Sequence, residues 1–134
     1  MGNLTVTNFY PGDGVREVKH SEQAILTSAG AVTTKRLTIL GRITADGKYA
    51  FYNTGNSPTG TNVPVAVSLS EVVSDGAGDD PIGVMLAGIV REGDLIIHGS
   101  NPGVGITEAI KDQLRTYGIF VESCDESNVL DNQT

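Results

Sequence analysis

Few side chains in this sequence have the chemistry that catalysis needs. The histidines are His20 and His98, and the single cysteine is Cys124. A Cys–His nucleophile pair needs an activated thiol, whereas Cys124 lies in a polar C-terminal stretch with no strand-to-helix elbow beside it. The sequence contains no HExxH, GxSxG or Walker motif. We therefore predict no catalytic residues. A small hydrolase that uses Cys124 is a competing hypothesis, and alkylation of Cys124 without loss of any assayed activity would dismiss it.

Two loops contain residue types that could bind ions. Asp75, Asp79 and Asp80 cluster in a glycine-rich stretch, but calcium needs about six to eight oxygens, and this spacing fits no EF-hand. A hydrolase that uses this acidic loop is a further hypothesis, which a chelator would test. Gly103-Val104-Gly105 precedes a predicted helix without the third glycine or the lysine of a phosphate-binding turn. We predict no metal and no cofactor.

The composition limits the kind of protein that can contain these residues. The 134 residues allow one domain, and with 39% hydrophobic residues, 17 glycines and no tryptophan the core must consist of Val, Ile, Leu and Ala. A net charge of −7 argues against a general nucleic-acid binder, which needs a basic face. No apolar run is long enough to span a membrane, and the first residues lack a signal peptide. These features predict a protein made and kept in a cytoplasm.

The charge is divided unevenly along the chain. Residues 1–48 carry six basic and four acidic side chains, a balance of +2, whereas residues 49–134 carry three basic and twelve acidic ones, a balance of −9. Two interpretations stay open. The division is either chance on a solvated surface, or it reflects a polar arm that meets a partner differently from the acidic body.

The first 36 residues have little core-forming pattern. Leu4 to Tyr10 alternates briefly, as an extended strand does, and Pro11-Gly12-Asp13-Gly14 then stops it. A segment this polar cannot bury enough apolar surface to repay an ordering cost of about 1–2 kcal/mol per residue. The sequence therefore predicts three parts, which are an extended, flexible N-terminal arm over residues 1–36, a compact β-rich domain over 37–122 and a polar tail over 123–134.

The compact domain has clear strand and turn patterns. Leu37–Thr44 and Lys48–Tyr52 have strand composition and flank Asp46-Gly47, a strong hairpin turn. Pro81–Val90 is a strongly apolar strand. Its two glycines, Gly83 and Gly88, predict bulges or close backbone approach.

The end of the domain predicts a further strand pair and one helix. Residues 91–98 are predicted to pair back across Glu92-Gly93-Asp94. Thr107 is a helix N-cap, and Gly118 has the position expected of a C-terminal glycine. Helical spacing predicts one apolar face formed by Ile110, Leu114 and Tyr117.

Four segments in this order give the chain a family likeness. It resembles the lambda-type head decoration proteins of tailed bacteriophages over Leu37 to Val121. The resemblance is carried by Leu40-Gly41-Arg42-Ile43-Thr44 with Gly47-Lys48-Tyr49, by Pro81-Ile82-Gly83-Val84-Met85-Leu86, by Ala87-Gly88-Ile89-Val90-Arg91-Glu92, and by Leu114 with Tyr117-Gly118-Ile119-Phe120-Val121.

The resemblance implies a fold, an assembly and partners. The fold is mainly β with one or two short helices, of the β-clip or β-tulip type, with an extended N-terminal arm. The assembly is a homotrimer on three-fold or quasi-three-fold positions of the mature phage head, where it stabilises the shell. Its partners are its own copies and the major capsid protein, with no nucleic acid and no membrane. The expected location is the outer capsid surface, and the host cytoplasm during assembly.

In that family the N-terminal arm contacts the shell. Carried over to this chain, the candidate capsid-binding residues are Asn3, Leu4, Thr5, Val6, Thr7, Phe9 and Tyr10.

A different class of function competes with this interpretation. A non-enzymatic β module on a virion or cell surface could bind a carbohydrate or another ligand, but it would need a concave site with aromatic platforms. Only seven aromatic residues exist, and Phe9 and Tyr10 lie in the arm. The composition therefore disfavours this alternative.

Overall fold

The computed structural model describes residues 15–28, 30–54, 60–76 and 79–122. Within these ranges the chain is mainly β, which confirms the predicted fold class, while the finer β-clip or β-tulip assignment stays a prediction. A short 3-10 turn, Glu92–Asp94, follows the seventh strand. The elements in chain order are β1 Val15–Leu26, β2 Ala31–Thr34, β3 Ile39–Arg42, β4 Tyr49–Phe51, β5 Ala66–Ser68, β6 Val72–Asp75, β7 Asp80–Arg91, α1 Glu108–Thr116 and β8 Ile119–Glu122.

Six of the strands form one sheet that closes on itself. Its order is β1-β4-β3-β5-β7-β8, and β1 also pairs with β7, so five strands make a ring and β8 adds to the outside of β7. The β1–β4 closure rests on one residue pair, Leu26 with Tyr49. The strands β2 and β6 form a separate two-stranded sheet. The long β1–β7 pairing therefore completes the ring of strands.

The predicted β3–β4 hairpin is confirmed. Gly47 has a φ of 77°, which a glycine adopts at little cost. The Asp46 carboxylate accepts a hydrogen bond from the Lys48 backbone N–H at 3.0 Å. The turn chemistry read from the sequence thus sets this part of the sheet.

Two hydrophobic cores form because neighbouring strand residues point to opposite faces of the sheet. In β3, β5 and β7 one residue of each adjacent pair joins each core. The first core contains Ile39, Val67 and Met85 together with the residues of α1. The second core contains Leu40, Ala66 and Val84.

The β1–β7 ribbon is irregular where Gly88 sits. Its register shifts near Val18 and His20. Gly88 has a φ of 156°, and a Cβ there would collide with the Glu17 carbonyl oxygen, so the predicted close approach is confirmed. The same prediction for Gly83 is wrong, because a Cβ there would have its nearest neighbour at 3.8 Å.

The predicted helix is present and begins at the predicted cap. The Thr107 hydroxyl accepts a hydrogen bond from the Ile110 backbone N–H at 3.3 Å, and Gly118 follows the helix with a φ of 108°. Ile110 and Leu114 are buried, as their spacing indicates. Tyr117 is 52% exposed instead of sharing that face, because the helix has ended and the backbone turns before β8.

The prediction that the arm extends to residue 36 is wrong for the described part of that range. Residues 15–26 form β1, which pairs with β7 from Val15–Val90 to Leu26–Asp80, and residues 31–34 form β2. Backbone hydrogen bonds to β7, rather than burial of polar side chains, order this segment. The described part of the fold therefore already includes residues 15–26 and 31–34, and residues 1–14 and 123–134 lie outside the described residues.

Residues 91–98 do not pair back onto β7 as predicted. The Glu92–Asp94 turn directs the chain across the sheet, where Ile96 forms a parallel bridge with Thr38. The Ile96 carbonyl accepts a hydrogen bond from the Ile39 N–H at 2.8 Å. This crossing buries Leu95 and Ile96.

Candidate functional site

The first and the last described residues lie at the same end of the sheet. Val90 of β7 pairs with Val15 on one side and with Val121 on the other. A 2.6 Å ion pair between Arg16 and Glu122 connects the two flanking strands. Val15 and Glu122 therefore both lie beside the last residues of β7.

The predicted capsid-binding residues lie outside the described residues. These residues are Asn3, Leu4, Thr5, Val6, Thr7, Phe9 and Tyr10. The first described residue after them is Val15, which is 4% exposed and belongs to the first core.

The two histidines, which are the described residues with catalytic potential, lie in different parts of the fold. The His98 ring stacks on Phe51 with a 3.8 Å centroid separation and a 6° interplanar angle. Burial lowers the pKa of His98 below its ordinary value. His20 is exposed on β1, and Cys124 lies outside the described residues. The His98–Phe51 contact is a packing arrangement in which each ring covers one face of the other.

The acidic loop makes an ion pair with the neighbouring hairpin. Lys48 Nζ lies 2.6 Å from an Asp79 carboxylate oxygen. This hydrogen bond raises the pKa of Lys48 and lowers that of Asp79. Within the described ranges, no three His, Cys, Asp or Glu side chains are arranged to hold a metal ion. The Gly103-Val104-Gly105 loop packs against the backbone of the domain, since the Gly103 N–H donates a hydrogen bond to the Leu95 carbonyl at 2.7 Å.

A groove crosses the face of the second core. It has a volume of about 790 Å³ and is lined by Arg42, Tyr49, Leu86 and Tyr117, among others. A second cavity of about 570 Å³ shares Arg42, Tyr49 and Leu86 with it. Burial raises the pKa of Tyr49, with the nearby Glu22 acting in the same direction and Arg42 opposing it. The sequence analysis missed this groove, because its residues come from four distant segments and share no spacing pattern.

The part of the chain that the structure describes contains no helix long and apolar enough to cross a membrane.

A comparison with protein families shows which family the chain belongs to. The model of the family "Bacteriophage lambda head decoration protein D" matches residues 15–119. The chain belongs to this family. A comparison with curated proteins finds no match. The matched range begins at the first residue of β1 and ends at the first residue of β8.

Membership gives the protein a structural role. It is a phage head decoration protein, not an enzyme, and it associates with a phage capsid in the virion. This confirms the resemblance found in the sequence and the prediction of a non-enzymatic protein.

Proposed function

We propose that the protein binds the outer surface of the mature head as a homotrimer, at three-fold or quasi-three-fold positions, and stabilises the expanded shell. In this proposal the N-terminal arm contacts the major capsid protein, and the protein resides in the host cytoplasm during assembly. The observation that carries the proposal is the family match over residues 15–119, from the first residue of β1 to the first residue of β8.

Strand addition is the physical basis for the arm contact. An extended segment can pair with an exposed sheet edge, where backbone hydrogen bonds give affinity and alternate side chains give specificity. Ordering about ten residues costs on the order of 10–20 kcal/mol of backbone entropy, so a single arm binds weakly. Three arms on one trimer turn the later contacts into intramolecular ones and raise the affinity.

Stabilisation of the shell then follows from linkage. A protein that binds the expanded shell more tightly than its precursor shifts the equilibrium toward the expanded shell, by RT ln(1 + [L]/Kd) at each site. The acidic body, with −9 beyond residue 48, keeps the protein soluble at high copy number. The less acidic N-terminal part is free to approach the shell.

The arm assignment is tested on isolated heads. Full-length protein, a variant lacking residues 1–10 and a control lacking residues 123–134 are mixed with expanded and unexpanded heads, and bound protein is measured after pelleting. We expect the full chain and the tail deletion to bind expanded heads, and the arm deletion to lose most binding. Full binding by the arm deletion would contradict the role of the arm.

The assembly state has its own test. Native mass spectrometry of the full chain at micromolar concentration should show a mass of three chains. A monomer at that concentration would contradict the proposed trimer, and equal binding to expanded and unexpanded heads would contradict the proposed stabilisation.

A further inference from the structure

The β3–β4 hairpin meets β1 along a short seam. Among the described residues, the β1–β4 pairing consists of Leu26 with Tyr49, and the Thr27 N–H donates a hydrogen bond to the Tyr49 carbonyl at 2.9 Å. By comparison, β1 pairs with β7 along its whole length, and β4 pairs with β3 at three positions. The seam, formed by Leu26, Thr27 and Tyr49, is therefore the shortest of the strand contacts that close the ring.

A side-chain latch lies beside the seam. Lys48 Nζ, at the end of the hairpin turn, is 2.6 Å from an Asp79 carboxylate oxygen, and Asp79 directly precedes β7. The pKa of Asp79 is lowered first by this hydrogen bond and then by one from the Thr27 side chain. One carboxylate thus connects the hairpin with the end of β1. We call the Lys48–Asp79 ion pair the latch.

The hairpin also forms a wall between the two cavities of the second face. The hairpin residues that line both cavities are Arg42, Asp46, Gly47 and Tyr49. From this wall the larger cavity, of about 790 Å³, extends toward Tyr117, and the smaller one, of about 570 Å³, extends toward Ile25 of β1. A movement of the hairpin turn away from β1 would therefore join the two cavities into one groove.

We propose that the turn of the β3–β4 hairpin, residues 43–49, is a lid over the second face, which the latch holds closed and which opens when Lys48 and Asp79 separate. The pivot is at Gly41, because the backbone there packs against Thr61 so closely that a Cβ would lie 2.5 Å from it. Opening joins the cavities and exposes Tyr49, which is 6% exposed in the closed state.

The latch is weak enough to let the lid open locally. The Lys48 and Asp79 side chains are 38% and 34% exposed, and an ion pair that water reaches favours the closed state by only roughly two- to fivefold. Opening breaks the seam but leaves the β1–β7 pairing and the first core in place, so it needs no global unfolding. The closed lid is therefore the main state in solution, and the open lid is a minor one.

Hydrogen exchange of the Thr27 amide measures opening of the seam, because this N–H donates to the Tyr49 carbonyl. In the full chain at low ionic strength, Asp79→Asn should speed Thr27 exchange by roughly two- to fivefold. The amides of the β1–β7 pairing should keep their wild-type rates. An unchanged Thr27 rate would overturn the proposal. An equal increase at every amide would overturn it as well, because it would mean a loss of global stability.

A second ion pair supplies the matched control. Arg16 and Glu122 are also 2.6 Å apart and also partly exposed, but they connect β1 with β8 on either side of β7. Glu122→Gln removes the same charge as Asp79→Asn and should leave Thr27 exchange unchanged. If it speeds Thr27 exchange equally, the effect comes from net charge and the latch is ruled out.

A double variant shows whether the two side chains act as a pair. Lys48→Met with Asp79→Asn should open the seam no more than either single substitution, because each one already breaks the latch. In about 1 M salt, where the screening length is about 3 Å, the wild-type Thr27 rate should rise toward that of Asp79→Asn. Additive effects of the two substitutions would contradict the latch.

Nitration with tetranitromethane, mapped by mass spectrometry, measures movement of the lid itself. Tyr49 and Tyr52 are similarly buried, but Tyr49 belongs to the second core at the base of the lid, whereas Tyr52 belongs to the first. Asp79→Asn should speed nitration of Tyr49 and leave that of Tyr52 unchanged. No change at Tyr49, or an equal change at both tyrosines, would overturn the lid.

The lid goes beyond the proposed capsid role, and its tests need no heads. If the protein fails to bind heads but the exchange and nitration results hold, the capsid proposal fails and the lid stands. The reverse outcome removes the lid and leaves the capsid proposal in place.

Discussion

The two faces of the closed sheet are covered to different extents. On the first face α1 packs Ile110 and Leu114 over the core, and the chain crossing after β7 adds Leu95. On the second face a small buried core is surrounded by partly buried side chains such as Val65 and Leu86. A groove of about 790 Å³ lies over these side chains. One sheet thus has a closed face and an open one.

The difference assigns the two faces different physical roles. Burial of large aliphatic side chains is the main favourable term in folding, so the closed face supplies most of the stability. Apolar surface that stays accessible contributes less to stability and is available to a partner. Substitutions matched across the two faces can test this division.

The largest contrast is expected between two leucines. Leu114→Ala, in α1 and fully buried on the first face, should lower the free energy of unfolding by about 2–5 kcal/mol. Leu86→Ala, half-buried beside the groove, should cost less than about 1 kcal/mol, because water already reaches the side chain. Urea unfolding followed by circular dichroism measures both, and equal losses would remove the distinction between the faces.

A smaller contrast is expected between two strand glycines. A Cβ at Gly41 would lie 2.5 Å from the Thr61 backbone, so Gly41→Ala should cost about 1–3 kcal/mol through overpacking. A Cβ at Gly83 would lie 3.8 Å from its nearest neighbour, so Gly83→Ala should be neutral or stabilise by about 0.5 kcal/mol. Thermal unfolding of both variants is the measurement, and a stable Gly41→Ala would show that the Thr61 loop yields easily.

The elements that could be predicted from the sequence are those that local side-chain chemistry determines. The Asp46-Gly47 turn and the Thr107 cap act through local chemistry, so both could be located without the structure. The strand β1 could not, since His20 to Gln23 are exposed on both faces and give no alternation. Its order comes from backbone bonds to β7, which lies more than fifty residues away in the chain.

The groove could not be predicted for a related reason. Arg42 and Tyr49 are partners in the β3–β4 hairpin, whereas Leu86 and Tyr117 come from distant segments that only the closed sheet brings beside them. No local pattern specifies that closure. The family assignment succeeded where these predictions failed, because it used the order of short segments along the chain.

The N-cap of α1 contributes to the stability of the helix that covers the first face. Thr107→Ala removes the side-chain acceptor for the Ile110 N–H and should cost about 1 kcal/mol. Thr107→Ser keeps a hydroxyl acceptor and should retain most of the stability. Chemical denaturation distinguishes the two, and equal losses would mean that the threonine methyl group rather than the hydrogen bond matters here.

The smallest effect is expected at the rim of a cavity beside α1, where His98 stacks on Phe51. Burial lowers the pKa of folded His98 below its ordinary 6.5, so the unfolded chain binds more protons than the folded one as the pH falls. The contribution of His98 is therefore fully present above about pH 6.5 and is lost as the pH drops through the lower folded pKa. His98→Phe keeps a flat ring against Phe51 and removes the titration. Between pH 7 and pH 5 its stability should fall less steeply than that of the wild type, whereas His20→Gln controls for the loss of an exposed imidazole. Identical slopes for His98→Phe and the wild type would show that the imidazole at this rim is as open to water as one on the bare surface.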